Sequence, residues 1–525
     1  MNVEYISHAC LLIDTGDVRI ATDPWFAGPA YSRQWYVFPK PVNAAAVETA
    51  GVIAISHGHE DHFHPQTLRG LANKNARVFY PDSWFGGAKE FIASLGFANV
   101  TEAVSWRKYR LTKDTSITYV ANGHDNIMVI KSGGEILVNI NDALHSEADA
   151  TIDFFIDEIK RGWPRIDVLF CGFGGASYFP NMLHVDGKDD HAVAAVREQL
   201  LARNFCRVVA GLKPRVAIPF AADFALLAPA ERWINEVRFP RSLIKDYFER
   251  EFAEAADETQ VQIMYPGDVL HSQELEPASP YRARLRNGEL THLIDEQYAD
   301  EIARKANPDL LSAEAAHELS EDLREQISLR AAALGVAQFD QLKFCINVSD
   351  VGEGRAFNIR FEKGEARVER APEPHEDCAI VITTPSRILR YAMKHEFGGD
   401  AIGIGYGADF QLRDRDQVTR NLDQVCYQLL TRMPTRKAYL RENPRRVAGF
   451  LARQPPLRTW RSYRKSGTKV GAANYDRSIW LLRDAEELRR IFSLPEIASE
   501  PGAVVTGSCS RVEDHASISL HSKAP

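Results

Sequence analysis

The chain has few of the features that mark membrane, disulfide-bonded or nucleic-acid-binding proteins. Its seven cysteines in 525 residues are widely scattered, which predicts free thiols in a reducing compartment. It has no apolar run of about twenty residues, the length that a membrane-spanning helix needs. No signal-peptide pattern follows Met1. The formal net charge of −8 argues against general nucleic-acid binding. Together these absences predict a cytoplasmic protein that binds neither a membrane nor nucleic acid.

One short stretch, AISHGHEDHFHP at residues 54–65, is unusually rich in metal-ligand side chains. It follows an apolar, strand-like run at 51–56 and precedes a helix-like stretch at 64–74. His57 and His59 alternate by two, so both imidazoles can point to one side of the backbone. Asp61 and His62 follow and can serve a second metal close by. The stretch therefore predicts a metal site rather than a solvated charged loop.

The spacing His57-x-His59-x-Asp61-His62 resembles the signature of the metallo-β-lactamase superfamily. The opening ISHACLLIDTGDVRIATDPWF, residues 6–26, also resembles that superfamily, as a hairpin of two alternating strands. The resemblance spans roughly residues 1–270. It implies an α/β fold, an αββα sandwich that carries its metals along one edge.

The same resemblance implies further site residues. Asp23 would lie beneath the metals and orient a ligand, although an Asp before Pro is also a common turn residue. His124, in ITYVANGHDN, would complete a three-histidine set with His57 and His59 for the first metal. Asp142, in EILVNINDALH, would bridge both metals, with Asp61 and His62 serving the second.

The pattern departs from the superfamily at its last ligand, which is usually a histidine. The matching stretch LKPRVAIPFAADF has Phe220 and Ala221 near that position, and Asp223 is the nearest ligating side chain. Asp223 can bind iron or zinc through its carboxylate, or it can cap a helix that begins at residue 224. His145 or His184 could serve the second metal instead, or that metal could be absent.

The stretches DVLFCGFGGASYFP and LKPRVAIPFAADF resemble the core of the CMP-N-acetylneuraminate hydroxylase family, which are iron-dependent oxygenases. Members of that family add a Rieske cluster, which needs Cys-x-His and Cys-x-x-His pairs. None of the seven cysteines here stands in such a pair. The resemblance therefore implies either a separate electron donor or a chemistry other than oxygenation.

Three functions follow from these residues and resemblances. The favoured one is an oxygenase with one or two iron ions that hydroxylates a small metabolite, anionic or neutral, using O₂. The alternative is a hydrolase in which two zinc ions activate a water that attacks an ester, lactone, amide or phosphodiester. Asp61 and Asp142 would be its catalytic carboxylates. A metal-stabilised binding protein without catalysis is the third.

The glycine-rich turn CGFGGASYFP, residues 171–180, is a candidate for substrate contact. Its glycines let the backbone bend tightly and approach a ligand. Ser177 and Tyr178 can donate hydrogen bonds to a substrate. The alternative is a plain strand-to-helix turn, but the implied fold places this strand end on the metal edge.

Changes in sequence pattern predict four regions. Residues 1–275 form the metal-binding catalytic domain, and residues 276–336 a charged helical connector. Residues 337–432 alternate like antiparallel strands and resemble the sterol-carrier-protein-2-like α+β fold. Residues 433–525 begin with a basic segment that interleaves Tyr439, Trp460 and Tyr463 with arginines and end in a frayed tail. The basic segment predicts docking on an acidic surface of this chain or of a second copy, or anion binding.

Overall fold

The structure is a computed structural model that describes residues 1–83, 86–335, 339–432, 441–455, 461 and 476–496. Tyr439, Trp460, Tyr463 and the tail predicted to fray lie outside the described residues.

The first sheet has eight strands and contains the two strands of the predicted opening hairpin. The hairpin consists of β2 (Cys10–Asp14) and β3 (Arg19–Thr22), which turn at residues 15–18. In spatial order the strands are β18 (Glu274–Glu276), β17 (Val269–His271), β1 (Asn2–Ser7), β2 (Cys10–Asp14), β3 (Arg19–Thr22), β5 (Val52–Ala54), β6 (Arg77–Pro81) and β7 (Val100–Ala103). Two strands outside the sheet, β4 (Trp35–Val37) and β15 (Phe224–Leu226), form a separate antiparallel pair.

The second sheet has seven strands and faces the first. Its spatial order is β16 (Gln260–Val261), β14 (Val216–Phe220), β12 (Val168–Gly172), β11 (Glu135–Asn141), β10 (Asp125–Ser132), β9 (Ser116–Asn122) and β8 (Lys108–Arg110). A buried apolar cluster joins the two sheets, with Tyr5 and Leu11 from the first against Met128, Phe170 and Ile218 from the second. Strands β12 and β14 are buried along their whole length, as expected of strands covered on both faces.

Helices cover the outer face of each sheet. On the first sheet these are α1 (Pro65–Gly70) and α2 (Ala88–Ser94), which contribute Leu68 and Ile92 to the outer core. On the second they are α3 (Asp149–Gly162) and α4 (Asp190–Leu212), through Phe155 and Phe205. The layers run helix, sheet, sheet, helix, so the predicted αββα sandwich is confirmed.

The helical connector and a third sheet follow. After the short helices α5 (Ile244–Glu251) and α6 (Ala253–Ala256) come α7 (Arg282–Arg286), α8 (Leu290–Ala306) and α9 (Ala313–Leu334). The third sheet runs β13 (Leu183–Val185), β23 (Asp409–Leu412), β22 (Ile380–Thr384), β19 (Lys343–Val348), β20 (Ala356–Glu362) and β21 (Glu365–Ala371). Its helices are α10 (Ser386–Lys394), α11 (Asp400–Gly403), α12 (Asp416–Thr419) and α13 (Leu422–Leu430). The chain continues with α14 (Pro444–Arg453), α15 (Arg477–Leu482) and α16 (Ala485–Ile491).

The third sheet is joined to the sandwich. Strand β13 belongs to the N-terminal half of the chain, yet it pairs in parallel with β23 of the C-terminal half. One buried cluster contains Trp35 and Tyr178 from the sandwich side together with Phe344 and Phe410 of the third sheet. The pairing crosses the predicted boundary at residue 337. The likeness of residues 337–432 to the sterol-carrier-protein-2-like fold stays a prediction.

Two local predictions near the metal loop are wrong. The predicted helix at 64–74 ends at Gly70, and His64 caps it by accepting a hydrogen bond from the Thr67 amide. The predicted helix from Phe224 is a strand, β15, which pairs with β4. No helix in the described ranges is both long enough and apolar enough to cross a lipid bilayer.

His184 fastens the third sheet to the sandwich and is not directed at the metal loop. Its Nδ1 lies 2.6 Å from Asp190 on α4, and its Nε2 lies 3.1 Å from Asp409 on β23. Burial lowers the pKa of His184, but the hydrogen bonds to the two carboxylates outweigh burial and raise it to about 9. The imidazolium is therefore a stabilising cross-link between two parts of the fold.

We expect His184→Gln to lower the free energy of unfolding by about 1–3 kcal/mol at pH 6. A raised pKa contributes stability that is fully present below the unfolded value, about 6.5, and is lost as the pH rises through about 9. Urea unfolding at pH 6 and pH 10 measures the difference, with a change at the exposed His271 of β17, His271→Gln, as the control. An equal loss at both pH values would contradict the assignment.

Candidate metal centre

The metal loop leaves the first sheet at the end of β5 and turns sharply before α1. The amides of His62 and Phe63 both donate to the carbonyl of His59, which closes a tight turn. This turn places the side chains of His57, His59, Asp61 and His62 on one side of the loop. The predicted clustering of these four residues is therefore what the structure contains.

The first ligand group consists of His57, His59 and Asp125. His57 Nε2 lies 2.9 Å from His59 Nδ1 and 3.8 Å from Asp125 Oδ1. His57 Nδ1 donates to Ser56 Oγ, at 2.9 Å, so a neutral His57 presents a lone pair at Nε2. Two imidazole nitrogens face each other favourably only with a proton or a cation between them. The geometry therefore fits a metal ion.

The structure does not bring His124 into this group. His124 occupies the turn between β9 and β10 and is exposed, whereas Asp125 begins β10 and points to the loop. Asp125 Oδ1 is buried and has no hydrogen-bond partner among the described residues. Burial raises the pKa of Asp125 to about 6, a cost that a bound cation would remove. Asp125 therefore stands where the sequence predicted His124.

The second ligand group consists of His62, Asp61 and Asp142. His62 Nε2 lies 3.4 Å from an oxygen of each carboxylate. Both His62 Nε2 and Asp142 Oδ1 are buried without a hydrogen-bond partner in the described chain. Asp142 also lies within ligand distance of His57 as well as His62, one histidine from each group. This is the arrangement that a carboxylate between two metals requires.

Asp23 fixes the orientation of His62 in the second ligand group. It is fully buried, and its Oδ2 accepts a hydrogen bond from His62 Nδ1 at 3.1 Å. The amide and hydroxyl of Ser56 donate to its two oxygens, each at 2.7 Å. With its proton held at Nδ1, His62 offers the lone pair of Nε2 to a metal. Asp23 therefore fixes the imidazole of His62, and its role beneath a bound metal stays a prediction.

His8 is the residue that the sequence reasoning missed. It is buried, has a φ of 41°, and lies at the bulge between β1 and β2. The Asp223 amide donates to His8 Nδ1, at 3.2 Å, so His8 donates from Nε2 to Asp61 Oδ2, at 3.0 Å. Tyr31 donates to the other oxygen of Asp61. The only signal was a histidine beside an apolar strand in ISHAC, which alone is typical of a core residue.

The structure engages the carboxylate of Asp223 elsewhere. Its Oδ1 lies 2.6 Å from Arg241 Nη2, and its Oδ2 accepts a hydrogen bond from Tyr5. Asp223 is not in any of the ligand groups among the described residues. Its capping role is also wrong, because residues 224–226 are strand and not helix. Asp223 supports the centre through its amide, which holds His8.

His145 lies beside the centre without joining either ligand group. Its Nε2 donates to the Gly174 carbonyl, at 2.9 Å, and its buried Nδ1 has no partner in the described chain. Gly172 leaves room for this ring, since a Cβ there would lie 2.8 Å from His145 Nδ1. An unprotonated ring nitrogen therefore lies against Gly172, beside the metal centre.

A cavity of about 410 Å³ opens onto the two ligand groups. Its walls come from the metal centre, the glycine-rich turn, α4, the third-sheet region and α15. They include His59, Asp61, Asp125, Asp142, His145, Ser177, Phe179, Arg197, Leu201, Ile404, Gln424, Arg477 and Trp480. Ser177 lines the cavity, with a φ of 101°, and its hydrogen bond to a substrate stays a prediction. Tyr178 does not line it: its hydroxyl donates to Asp423, at 2.8 Å, and its ring packs on Phe410.

The centre combines nitrogen and oxygen ligands with a protected cavity. Four histidine and carboxylate ligands on one short loop, and two acids from β10 and the end of β11, can hold two ions a few ångströms apart. The open side of both groups faces the cavity. The residues present therefore fit a mononuclear or dinuclear metal centre that can act on a small molecule.

Comparison with known proteins shows what this part of the chain resembles. Residues 2–221 match the family model described as the beta-lactamase superfamily domain. Cytidine monophosphate-N-acetylneuraminic acid hydroxylase of Danio rerio is 26% identical over 258 residues, which cover 46% of this chain and 41% of that protein. A Mycobacterium tuberculosis protein, provisionally named a Rieske 2Fe-2S iron-sulfur protein, is 27% identical over 248 residues, covering 45% of this chain and 46% of its own.

Among solved structures, this chain is similar to CmlA, a diiron beta-hydroxylase from Streptomyces venezuelae. That likeness has a TM-score of 0.36 at 16% identity and covers 51% of this chain and 54% of the other. An isothiocyanate hydrolase from Delia radicum gut bacteria has a TM-score of 0.35 at 12% identity. That likeness covers 52% of this chain and 98% of the other. This chain spans less than half the length of the curated relatives that it matches. Residues 2–221 match the beta-lactamase superfamily domain, the superfamily that the ligand spacing resembles.

Proposed function

We propose that this protein is a metal-dependent oxygenase that hydroxylates a small molecule with O₂ at an iron centre. The observation that carries the proposal is the first ligand group, His57, His59 and Asp125. Two histidines and one carboxylate with open positions are typical of non-haem iron(II) oxygenases. A zinc hydrolase more often presents three histidines, or a histidine-rich set, to its catalytic ion. With Asp125 in place of His124, the first ligand group resembles that of an iron oxygenase more than that of a zinc hydrolase.

The curated relatives support the same proposal. The relative from Danio rerio is named a hydroxylase, and it matches this chain over 258 residues, 46% of its length. The share of each protein that matches is below one half. We therefore propose only the reaction class of the relative for this chain, and not its substrate.

The residues around the centre have separate tasks in this proposal. A bound iron would supply the activation of O₂. Asp23 keeps the proton of His62 at Nδ1, and His8 and Tyr31 hold the two oxygens of Asp61 in place. Leu200, Leu201 and Ile404 line the cavity and exclude water from the reacting side.

Hydroxylation also requires electrons from outside the substrate. One O₂ and one C–H bond give one hydroxyl group and one water only if two electrons and two protons are added. The six cysteines within the described ranges are buried, and none stands in a ligand group. We therefore propose that a separate protein delivers the electrons.

The alternative is a dinuclear zinc hydrolase, because nitrogen and oxygen ligands accept zinc as readily as iron. Metal analysis of the protein purified without added metal separates the two. We expect about two iron ions per chain and turnover that stops when oxygen is removed. Near-stoichiometric zinc without iron, together with activity that survives without oxygen, would establish the hydrolase instead.

A further inference from the structure

We infer that Arg197 and Arg477 form an anion-binding site in the wall of the cavity and that they hold a carboxylate or phosphate group of the substrate. This inference rests on the proposed function, since it names the chemical class of molecule that the same centre acts on. The three acids that line the cavity beside the metals, Asp61, Asp125 and Asp142, all belong to the ligand groups. The two arginines are the cationic side chains of its wall outside those groups.

Arg197, on α4, has a buried guanidinium nitrogen that is available to bind an anion. Its Nη2 donates to the Ala176 carbonyl, at 2.9 Å, which fixes the plane of the group. Its Nη1 is buried and has no hydrogen-bond acceptor in the described chain, and Glu198 Oε1 stands at 4.0 Å. A buried N–H group of a cation without an acceptor is costly. An anionic oxygen in the cavity would remove that cost.

Gly175 makes the space that Arg197 occupies. A Cβ at this position would lie 2.5 Å from Arg197 Nη1 and 2.4 Å from Glu198 Oε1. Gly175 lines the cavity together with Arg197. The glycine-rich turn therefore contributes to ligand binding by leaving the guanidinium room to reach the cavity, whereas Tyr178 points away from it.

Arg477 reaches the same cavity from α15, far along the chain. It forms an ion pair with the buried carboxylate of Asp423 and lies over the ring of Phe179, with 4.3 Å from its guanidinium carbon to the ring centre. These contacts fix the group, and its buried Nε has no acceptor among the residues described. Arginine held in this way presents preorganised donors to a planar or tetrahedral anion.

Asparagine, glutamine and serine side chains complete the wall with neutral polar groups, and Trp480 of α15 forms part of it. The C-terminal helix α15 therefore supplies two residues, Arg477 and Trp480, to a cavity whose metals belong to the N-terminal domain. A substrate bound between the arginines and the metals would have its anionic end held by Arg197 of the sandwich and Arg477 of α15, and its reacting end at the metal centre.

The test is the binding of inorganic phosphate to the metal-loaded protein, measured by calorimetry at low ionic strength, with metal content recorded for every variant. We expect Arg197→Gln and Arg477→Gln each to raise the Kd for phosphate by about tenfold or more, because each removes charge-assisted hydrogen bonds. Arg197→Lys should recover part of the affinity, since the charge remains and the planar donor pair is lost. Arg324→Gln, on an exposed part of α9, is the control that should bind as the unmodified protein does.

Arg477→Gln leaves Asp423 without its cation, so the double variant Asp423→Asn/Arg477→Gln is included to keep that site neutral. Unchanged phosphate binding in Arg197→Gln and in the double variant, at unchanged metal content, would show that phosphate binds at the metals and would overturn the inference. So would an unmodified protein that binds no phosphate at millimolar concentrations. Zinc in place of iron, with arginine-dependent phosphate binding intact, would overturn the oxygenase and leave the anion site standing.

Discussion

Asp125→Ala protein is expected to lose the metal of the first ligand group, whereas His124→Ala protein is expected to keep it. Asp125 Oδ1 is buried, lacks a hydrogen-bond partner in the described chain and lies 3.8 Å from His57 Nε2. His124, its neighbour in sequence, is exposed in the turn before β10. Loss of a ligand should weaken metal binding by more than the roughly 10–100-fold that loss of an outer-shell partner costs.

The two variants form a matched pair, because they differ by one position and by the side chain that is removed. Elemental analysis after dialysis measures the metal, and oxygen-dependent turnover measures the consequence. Metal loss in His124→Ala with full metal in Asp125→Ala would restore the three-histidine set that the sequence predicted. It would also remove the main support for iron.

His59→Ala is expected to have the second large effect, namely loss of most bound metal and of all turnover. His59 Nδ1 lies 2.9 Å from His57 Nε2 and lines the cavity, so its ring forms one side of the first metal position. The remaining His57 and Asp125 cannot enclose an ion by themselves. His57 also lies within ligand distance of Asp142. Disorder of His57 should therefore weaken the binding of the second metal as well.

The control is His271→Ala, the same substitution at an exposed histidine of the first sheet. Elemental analysis and circular dichroism on both proteins separate metal loss from unfolding. A His59→Ala protein that is folded and retains its full metal content would show that His59 is not a ligand.

The metal loop and the opening hairpin could be predicted from the sequence because both depend on neighbours in the chain. His57, His59, Asp61 and His62 lie within six positions, so a single turn suffices to bring them together. The alternating opening hairpin and the buried runs of the second sheet carry their pattern in consecutive residues. The family match over residues 2–221 confirms what those patterns indicated.

The choice between His124 and Asp125 depended on register, which the sequence leaves open. Successive strand residues point to opposite faces, so a shift of one position exchanges the side chain that reaches the metals. The pairing of Asp125 with Asn122 places the turn at residues 123 and 124. His124 is therefore in the turn, and Asp125 is the first residue of the strand.

The sequence by itself determined that this protein carries a metal loop on an αββα sandwich. Only the tertiary structure decided what surrounds that loop. His8 meets Asp61 across 53 positions, and Arg241 takes the carboxylate of Asp223 away from the metals. Arg477 reaches the cavity from a helix some 400 residues further along the chain. Contacts of this kind arise from the packing of distant elements, and no local pattern of residue types encodes them, because each partner by itself is typical of an ordinary buried or charged side chain.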